Sequence, residues 1–248
     1  MRDKAVLLPQ RVMSMPTDSQ TAAGIRLLQL MSAADLGLLE PHLIAVKLKL
    51  RDPIENPNKP IEIILFPTTG VASVVAKQSG NEVEIGLVGC EGMTGSAVVL
   101  GNQHSANATY VQVVGDGRQI SAQHLRAAMD QSRSLHGLFL KFVQVFMTQT
   151  AHTAIANARV KLPERLARWI LMAHDRVPGN RLALTHEFLS LMLAVRRAGV
   201  TETVHDLVNR ELIEASRGEI VVHNRKGLEK VAGSFYGVPE AEYRRLLH

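Results

Sequence analysis

The stretch LTHEFLSLMLAVRRAGVTETVHDLVNRELIEASRGEIVV, residues 184–222, decides how the rest of the chain is read. Thr185 stands where an N-cap is wanted, and Phe188, Leu189 and Met192 then fall on one helical face. The tripeptide AVR can turn the chain, and a second helix runs from there with Val200, Val204, Leu207 and Val208 directed inward. LIEASRGEIVV follows as a two-stranded hairpin with its tip at Arg217 and Gly218. Two short helices around a tight connection, followed by such a hairpin, make a winged helix-turn-helix. In that motif the start of the second helix enters the major groove of double-stranded DNA, where an arginine can bond guanine O6 and N7 in bidentate fashion. That role falls to Arg196 and Arg197, with Thr185, His186, Gly199, Thr201, Glu202 and the hairpin-tip Arg217 as further candidate DNA contacts.

The charge distribution points the same way. The 248 residues carry a net +5, with thirteen Lys or Arg against twelve Asp or Glu over 1–157 and fifteen against eleven over 158–248. The basic excess therefore sits with the motif, as expected for a polyanion-binding part. Hydrophobic residues make up 46% of the chain, a globular composition with enough length for more than one domain. No stretch of eighteen apolar residues occurs, and the N-terminus has too short an apolar run for a signal sequence, so the expected compartment is the cytoplasm, without membrane association. Cys90 is the single cysteine, which excludes a thiolate cluster, and the histidines show no HExxH spacing; no metal site and no cofactor are expected. Glycines 89, 92 and 95 do not match GxGxxG, no GK[ST] or GxSxG occurs, and the chain reads as a non-enzyme.

Upstream, LLQLMSAADLGLLEPHL has helical spacing with Ser32 as N-cap. From Ile44 to Ser121 the texture changes to short Val- and Ile-rich runs separated by NPNKP, SGN, GNQ and GDG, the pattern of an antiparallel sandwich or jelly roll. Residues 122–160 then read as helix, in which Leu135, Phe139, Phe142, Phe146, Gln149, Thr153 and Ala156 follow steps of four and three. Such a seam serves either a helix packed on its own domain or a coiled coil between two copies. About 25 residues of helix span roughly 40 Å, longer than a small sheet domain needs. The expectation is therefore dimerisation through Leu135, Phe139, Phe142, Phe146, Gln149 and Thr153.

This order of parts resembles the Crp/Fnr family of bacterial transcription regulators over nearly the whole chain. The resemblance implies an α+β chain: an N-terminal extension (1–27), a cyclic-nucleotide-binding-like β jelly roll (28–121), a long dimerisation α-helix (122–160) and a C-terminal winged helix-turn-helix (161–248). IEIILFPTTGVASVV and VEIGLVGCEGMTGSAVVLG are similar to a branch whose sensor pocket is degenerate. The family's recognition helix opens close to Ser-Arg-Glu-Thr-Val. The matching residues here are Arg196, Arg197, Ala198, Gly199 and Val200, so the arginine survives and the base-reading glutamate is replaced by Ala198. The family's turn glycine is Ala194 here, which implies either positive φ at about 1 kcal/mol or a different turn.

Members that bind cyclic nucleotides use a glutamate on the ribose and an Arg-Ser or Arg-Thr pair on the phosphate. The matching positions here are Ser96 and Ser105, within a degenerate pocket that also includes Glu91, Gly92 and Thr94. No Lys or Arg lies between Lys77 and Arg118, so a desolvated phosphate would have no compensating cation, which argues against cAMP or cGMP. The small-molecule effector is left unassigned. The implied function is sequence-specific binding of an inverted-repeat operator by a homodimer, with RNA polymerase as a further partner if the protein activates. The alternative is a ligand-binding interaction module whose winged helix contacts protein.

Overall fold

The computed structural model describes residues 24–247. Two short helices, α1 (Arg26–Gln29) and α2 (Ala33–Leu39), open it, the second capped by Ser32, whose Oγ accepts from the Asp35 amide. Seven strands follow: β1 (Ile44–Leu48), β2 (Pro53–Glu55), β3 (Ile63–Pro67), β4 (Val71–Gln78), β5 (Asn81–Val88), β6 (Ala108–Val113) and β7 (Gly115–Ser121), with a short helix α3 (Ser96–Val99) between β5 and β6. They form two antiparallel sheets, ordered β1-β7-β3 and β2-β6-β4-β5. This is the expected jelly-roll sandwich, with the short β2 and α3 added to the runs legible in the sequence.

The helical stretch after Ser121 is broken once. α4 (Ala122–Gln131) ends at Ser132, which is extended (φ −130°, ψ 111°) and caps α5 (Arg133–Arg159) by accepting from the Leu135 amide. Ser132 also donates to the Asp35 carboxylate, and Ser134 Oγ lies 2.9 Å from the same group. A short polar side chain with partners outside the helix favours a cap over continuation.

α5 carries the main correction to the sequence reading. Leu135 and Phe139 are fully buried and Phe142 nearly so, in one core with Phe66, Met93, Ile120 and Leu125 of the same chain. A Cβ on Gly92 would overlap the Phe142 ring, and one on Gly86 would lie 2.7 Å from Phe146. The polar members of the seam are also satisfied internally. Gln149 Oε1 accepts from the Leu87 amide at 2.6 Å and its Nε2 donates to the Leu87 carbonyl at 3.2 Å, covering edge strand β5, while Thr153 Oγ1 accepts from Arg168 at 3.1 Å. The face of Leu135, Phe139, Phe142, Phe146, Gln149 and Thr153 therefore belongs to the chain's own sandwich, not to a second copy. The helix is long because it serves both the sandwich and the domain that follows.

That domain comprises α6 (Leu162–His174), β8 (Arg181–Leu182), α7 (His186–Met192), α8 (Arg197–Asn209), the hairpin β9 (Ile213–Ser216) and β10 (Glu219–Val222), and α9 (Arg225–Ala232). β8 adds a third strand to the hairpin, in the order β8-β10-β9. Helix α10 (Val238–Leu247) then leaves the domain, packs on α5 and places Tyr243 and Leu247 in the sandwich core. The N-terminal boundary also moves, because Ile25 and Leu27 are fully buried in the same core rather than forming part of an extension. Residues 1–23 of the expected extension lie outside the described residues.

The two domains share one apolar core. Val71, Val75, Leu87 and Val113 of the four-stranded sheet cluster with Trp169, Met172 and Met192. Inside this contact the Glu84 carboxylate accepts from Trp169 Nε1 at 2.6 Å and from Ser73 Oγ. Burial raises its pKa to about 7, against the lowering effect of those two donors and of the Arg168 and Arg176 charges. A folded-state pKa above the ordinary carboxylate value means that the folded chain holds the extra proton, so stability falls as pH rises from about 4.5 to 7 and levels off above. Denaturant midpoints between pH 5 and pH 8 are expected to show this slope, and Glu84→Gln is expected to flatten it. Emission from Trp169, the one tryptophan, reports the same titration.

Candidate DNA-binding surface and sensor interior

The helix-turn-helix is built from capping, one strained turn and an inward apolar face. Thr185 Oγ1 accepts from the Phe188 amide at 3.2 Å and starts α7, with Phe188, Leu189 and Met192 buried. The turn passes through Ala194 at φ +50°, so the structure takes the positive-φ alternative. Arg165 of α6 holds the turn by donating to the Leu193 carbonyl. α8 follows with Val200, Val204 and Leu207 buried, whereas Val208, expected inward, is partly exposed near the end of the helix.

The start of α8 is open. Arg196 is its N-cap and supplies no side-chain cap, so the first N–H groups of a thirteen-residue helix are available to an anion. Arg196, Arg197 and Ala198 are exposed there, as is Glu202 one turn on. Arg196 also lines an open groove between the tip of the β4–β5 hairpin and α7. His186 Nδ1 lies 3.0 Å from Thr201 Oγ1, and Thr201 also donates to the Arg197 carbonyl at 3.1 Å, which joins the start of α7 to the first turn of α8. Desolvation lowers the pKa of His186, and the charges of Arg197 and His205 lower it further. Arg217 is exposed at the hairpin tip beside Gly218, whose φ is +81°. Gly199 is the exception among the candidate contacts. It is half-buried, and a Cβ on it would lie 3.4 Å from Leu162 of α6, so it belongs to the packed side of α8.

The five positions assigned to a degenerate effector pocket do not surround one cavity. Thr94 is buried, its Oγ1 accepting from the Leu65 amide at 2.9 Å. Gly92 lies against Phe142, and Ser96 opens α3. Ser105 ties its loop to the β2–β3 loop, its carbonyl accepting from the Asn58 amide at 2.7 Å. Glu91 faces the other way and pairs with Arg176 at 2.7 Å. A Cβ on Gly95 would overlap Ile64, and Glu55, absent from the sequence reading, accepts from the Gly95 amide at 2.7 Å. Between the sheets Leu48, Leu65 and Val111 form a small apolar cluster. Nothing in the sequence marks Glu55 or Glu84, because each becomes a buried acceptor only when its strand is paired.

With this geometry in place, comparison with known proteins gives a consistent result. Residues 164–231 match the Crp-like helix-turn-helix domain. The chain carries a Crp-like helix-turn-helix domain and shares its fold with Crp/Fnr-type structures. Among solved structures, FixK2 from Bradyrhizobium japonicum is 14% identical at a TM-score of 0.64, over 77% of this chain and 98% of that one. A CRP-family transcriptional regulator from Thermus thermophilus is 14% identical at 0.63, over 76% and 97%. The c-di-GMP-responsive global regulator CLP of Xanthomonas campestris is 15% identical at 0.60, over 77% and 99%. At these identities the likeness establishes the fold. No curated protein matches the sequence significantly.

The Crp-like domain spans α6 to α9 and leaves α10 outside it. No described helix is long and apolar enough to cross a membrane, and no cluster of metal-ligating side chains occurs among the described residues. Because Ala194 sits in the turn at positive φ, Ala194→Gly is expected to stabilise the chain by about 1 kcal/mol in urea unfolding. A neutral or destabilising result would mean that the turn stores no such strain.

Proposed function

We propose that the protein is a transcription regulator that binds an inverted-repeat DNA operator as a homodimer and needs no cyclic nucleotide to do so. The observation that carries this reading is the uncapped start of α8, where Arg196 and Arg197 stand exposed on a helix whose opposite face is buried. Arg197 is the base-reading candidate; Thr185, His186, Thr201 and Arg217 are placed for phosphate or groove-edge contacts, and Gly199 serves packing. The interior of the jelly roll supports independence from cyclic nucleotides. Leu48, Leu65 and Val111 cluster between its sheets, the buried Glu55 carboxylate beside Gly95 would repel a phosphate, and the sequence from 78 to 117 contains no Lys or Arg to neutralise one.

A dimer would use the face of α5 opposite the buried seam. Leu140, Gln144, Met147, Ala151, Ala154 and Ala158 recur in steps of four and three, all exposed, and Ile155 lies beside them. Met147 is 58% exposed and Ile155 47%, large apolar side chains each about half open to solvent. The alanines would allow two helices to approach closely, and a two-fold axis along this seam would set two recognition helices on successive major grooves, about 34 Å apart.

Selection from a random duplex pool is expected to return a two-fold symmetric site whose affinity falls steeply with salt. Arg197→Ala is expected to cost about 1–3 kcal/mol on that site and much less on random DNA; an equal loss on both would make Arg197 a phosphate contact. Enrichment of no sequence, with shallow salt dependence, would favour a protein-binding winged helix. Met147→Glu is expected to give a folded monomer by light scattering with little operator affinity. Phe142→Glu, on the buried face, is expected to unfold the chain instead.

A further inference from the structure

Away from the DNA-facing side, a cavity of about 350 Å³ lies where α1, α5, α9, α10 and the end of α6 meet. Phe142, Val145 and Phe146 of α5 give it an apolar floor. Its walls carry an unusual density of charge, partly paired. Arg176 is bonded to Glu91, and Arg225 lies 2.8 Å from Asp175. Glu240 accepts from the Gly237 amide at 3.0 Å. Two guanidinium groups are left over. Arg26 makes one bond, to the Asp175 carbonyl at 3.1 Å, and Arg244 is exposed without a partner among the described residues. The seven charged groups sum to +1, with the surplus on arginines that no carboxylate neutralises.

We infer that this cavity is a binding site for a small organic acid that combines a carboxylate with an apolar body. The carboxylate answers Arg244 and Arg26, and the body covers the phenylalanine floor. A net-positive lining distinguishes this class from a neutral lipid, which brings no charge, and from a polyphosphate, whose charge exceeds the surplus. The volume lies within the range of ordinary small-molecule sites. This site is separate from the jelly-roll interior, and both domains line it: Asp175, Arg176 and Arg225 come from the Crp-like domain, and Arg26, Phe142 and Arg244 from the elements around the sandwich.

The test uses the full chain without DNA, so its outcome is independent of the operator selection above. 3-Phenylpropanoate and 3-phenylpropanamide are titrated while the melting temperature is followed, with calorimetry for stoichiometry. Phenylpropanoate is expected to bind saturably at one per chain and the uncharged amide at least tenfold more weakly. Arg244→Gln, which removes an exposed group without a partner among the described residues, is expected to leave the ligand-free melting temperature unchanged and to weaken phenylpropanoate at least fivefold. No saturable shift with phenylpropanoate, equal binding of acid and amide, or wild-type affinity in Arg244→Gln would each overturn the inference.

Discussion

The burial of one face of α5 on its own sandwich is the contact on which the other parts depend. Phe142 fills space that Gly92 of the β5–α3 connection leaves open, and Gln149 closes the bare edge of β5 with a pair of backbone bonds. Once the helix is seated in this way, its opposite face is committed to the outside, and its far end fixes where α6 begins. A heptad pattern alone does not say which of two partners it serves. Here two such patterns interleave on one helix, and the more apolar of them is used internally.

The join between the domains has mixed character. Much of it is an ordinary apolar contact between the outer surface of a sheet and the back of a helix-turn-helix, yet a carboxylate sits inside it with an indole and a hydroxyl as donors. Burying an ionisable group in this position weakens the join whenever the group is charged. The contact is therefore weaker, while that carboxylate is charged, than a purely apolar one of the same area would be.

Much of this architecture is legible in the sequence because it rests on local rules. Thr185 and Ser32 cap the helices they precede, Gly218 turns the hairpin, and the runs from Ile44 to Ser121 alternate as strands. The candidate DNA contacts are legible for the same reason, since most lie within one or two turns of each other on consecutive elements. What is not legible depends on residues far apart in the chain. Gly199 looks like a groove contact until Leu162, 37 positions earlier, is seen beneath it. The destination of Phe142 depends on Gly92, and Glu91 leaves the presumed pocket because Arg176 waits for it across the domain junction. Ala194 lies between these cases. Its substitution for glycine marks the position as unusual, and only the backbone shows that the turn keeps the glycine conformation.

The return of α10 to the sandwich has a consequence for how the chain comes into being. Tyr243 and Leu247 complete a core that also holds Ile25, so the sandwich draws on elements that lie on both sides of the Crp-like domain in the sequence. During synthesis the Crp-like domain emerges with all its parts before α10 has left the ribosome. The sandwich, whose strands are made earlier, is thus completed only after the domain that follows them, and a message cut short after α9 would leave a complete winged helix-turn-helix joined to a sandwich core open on one side.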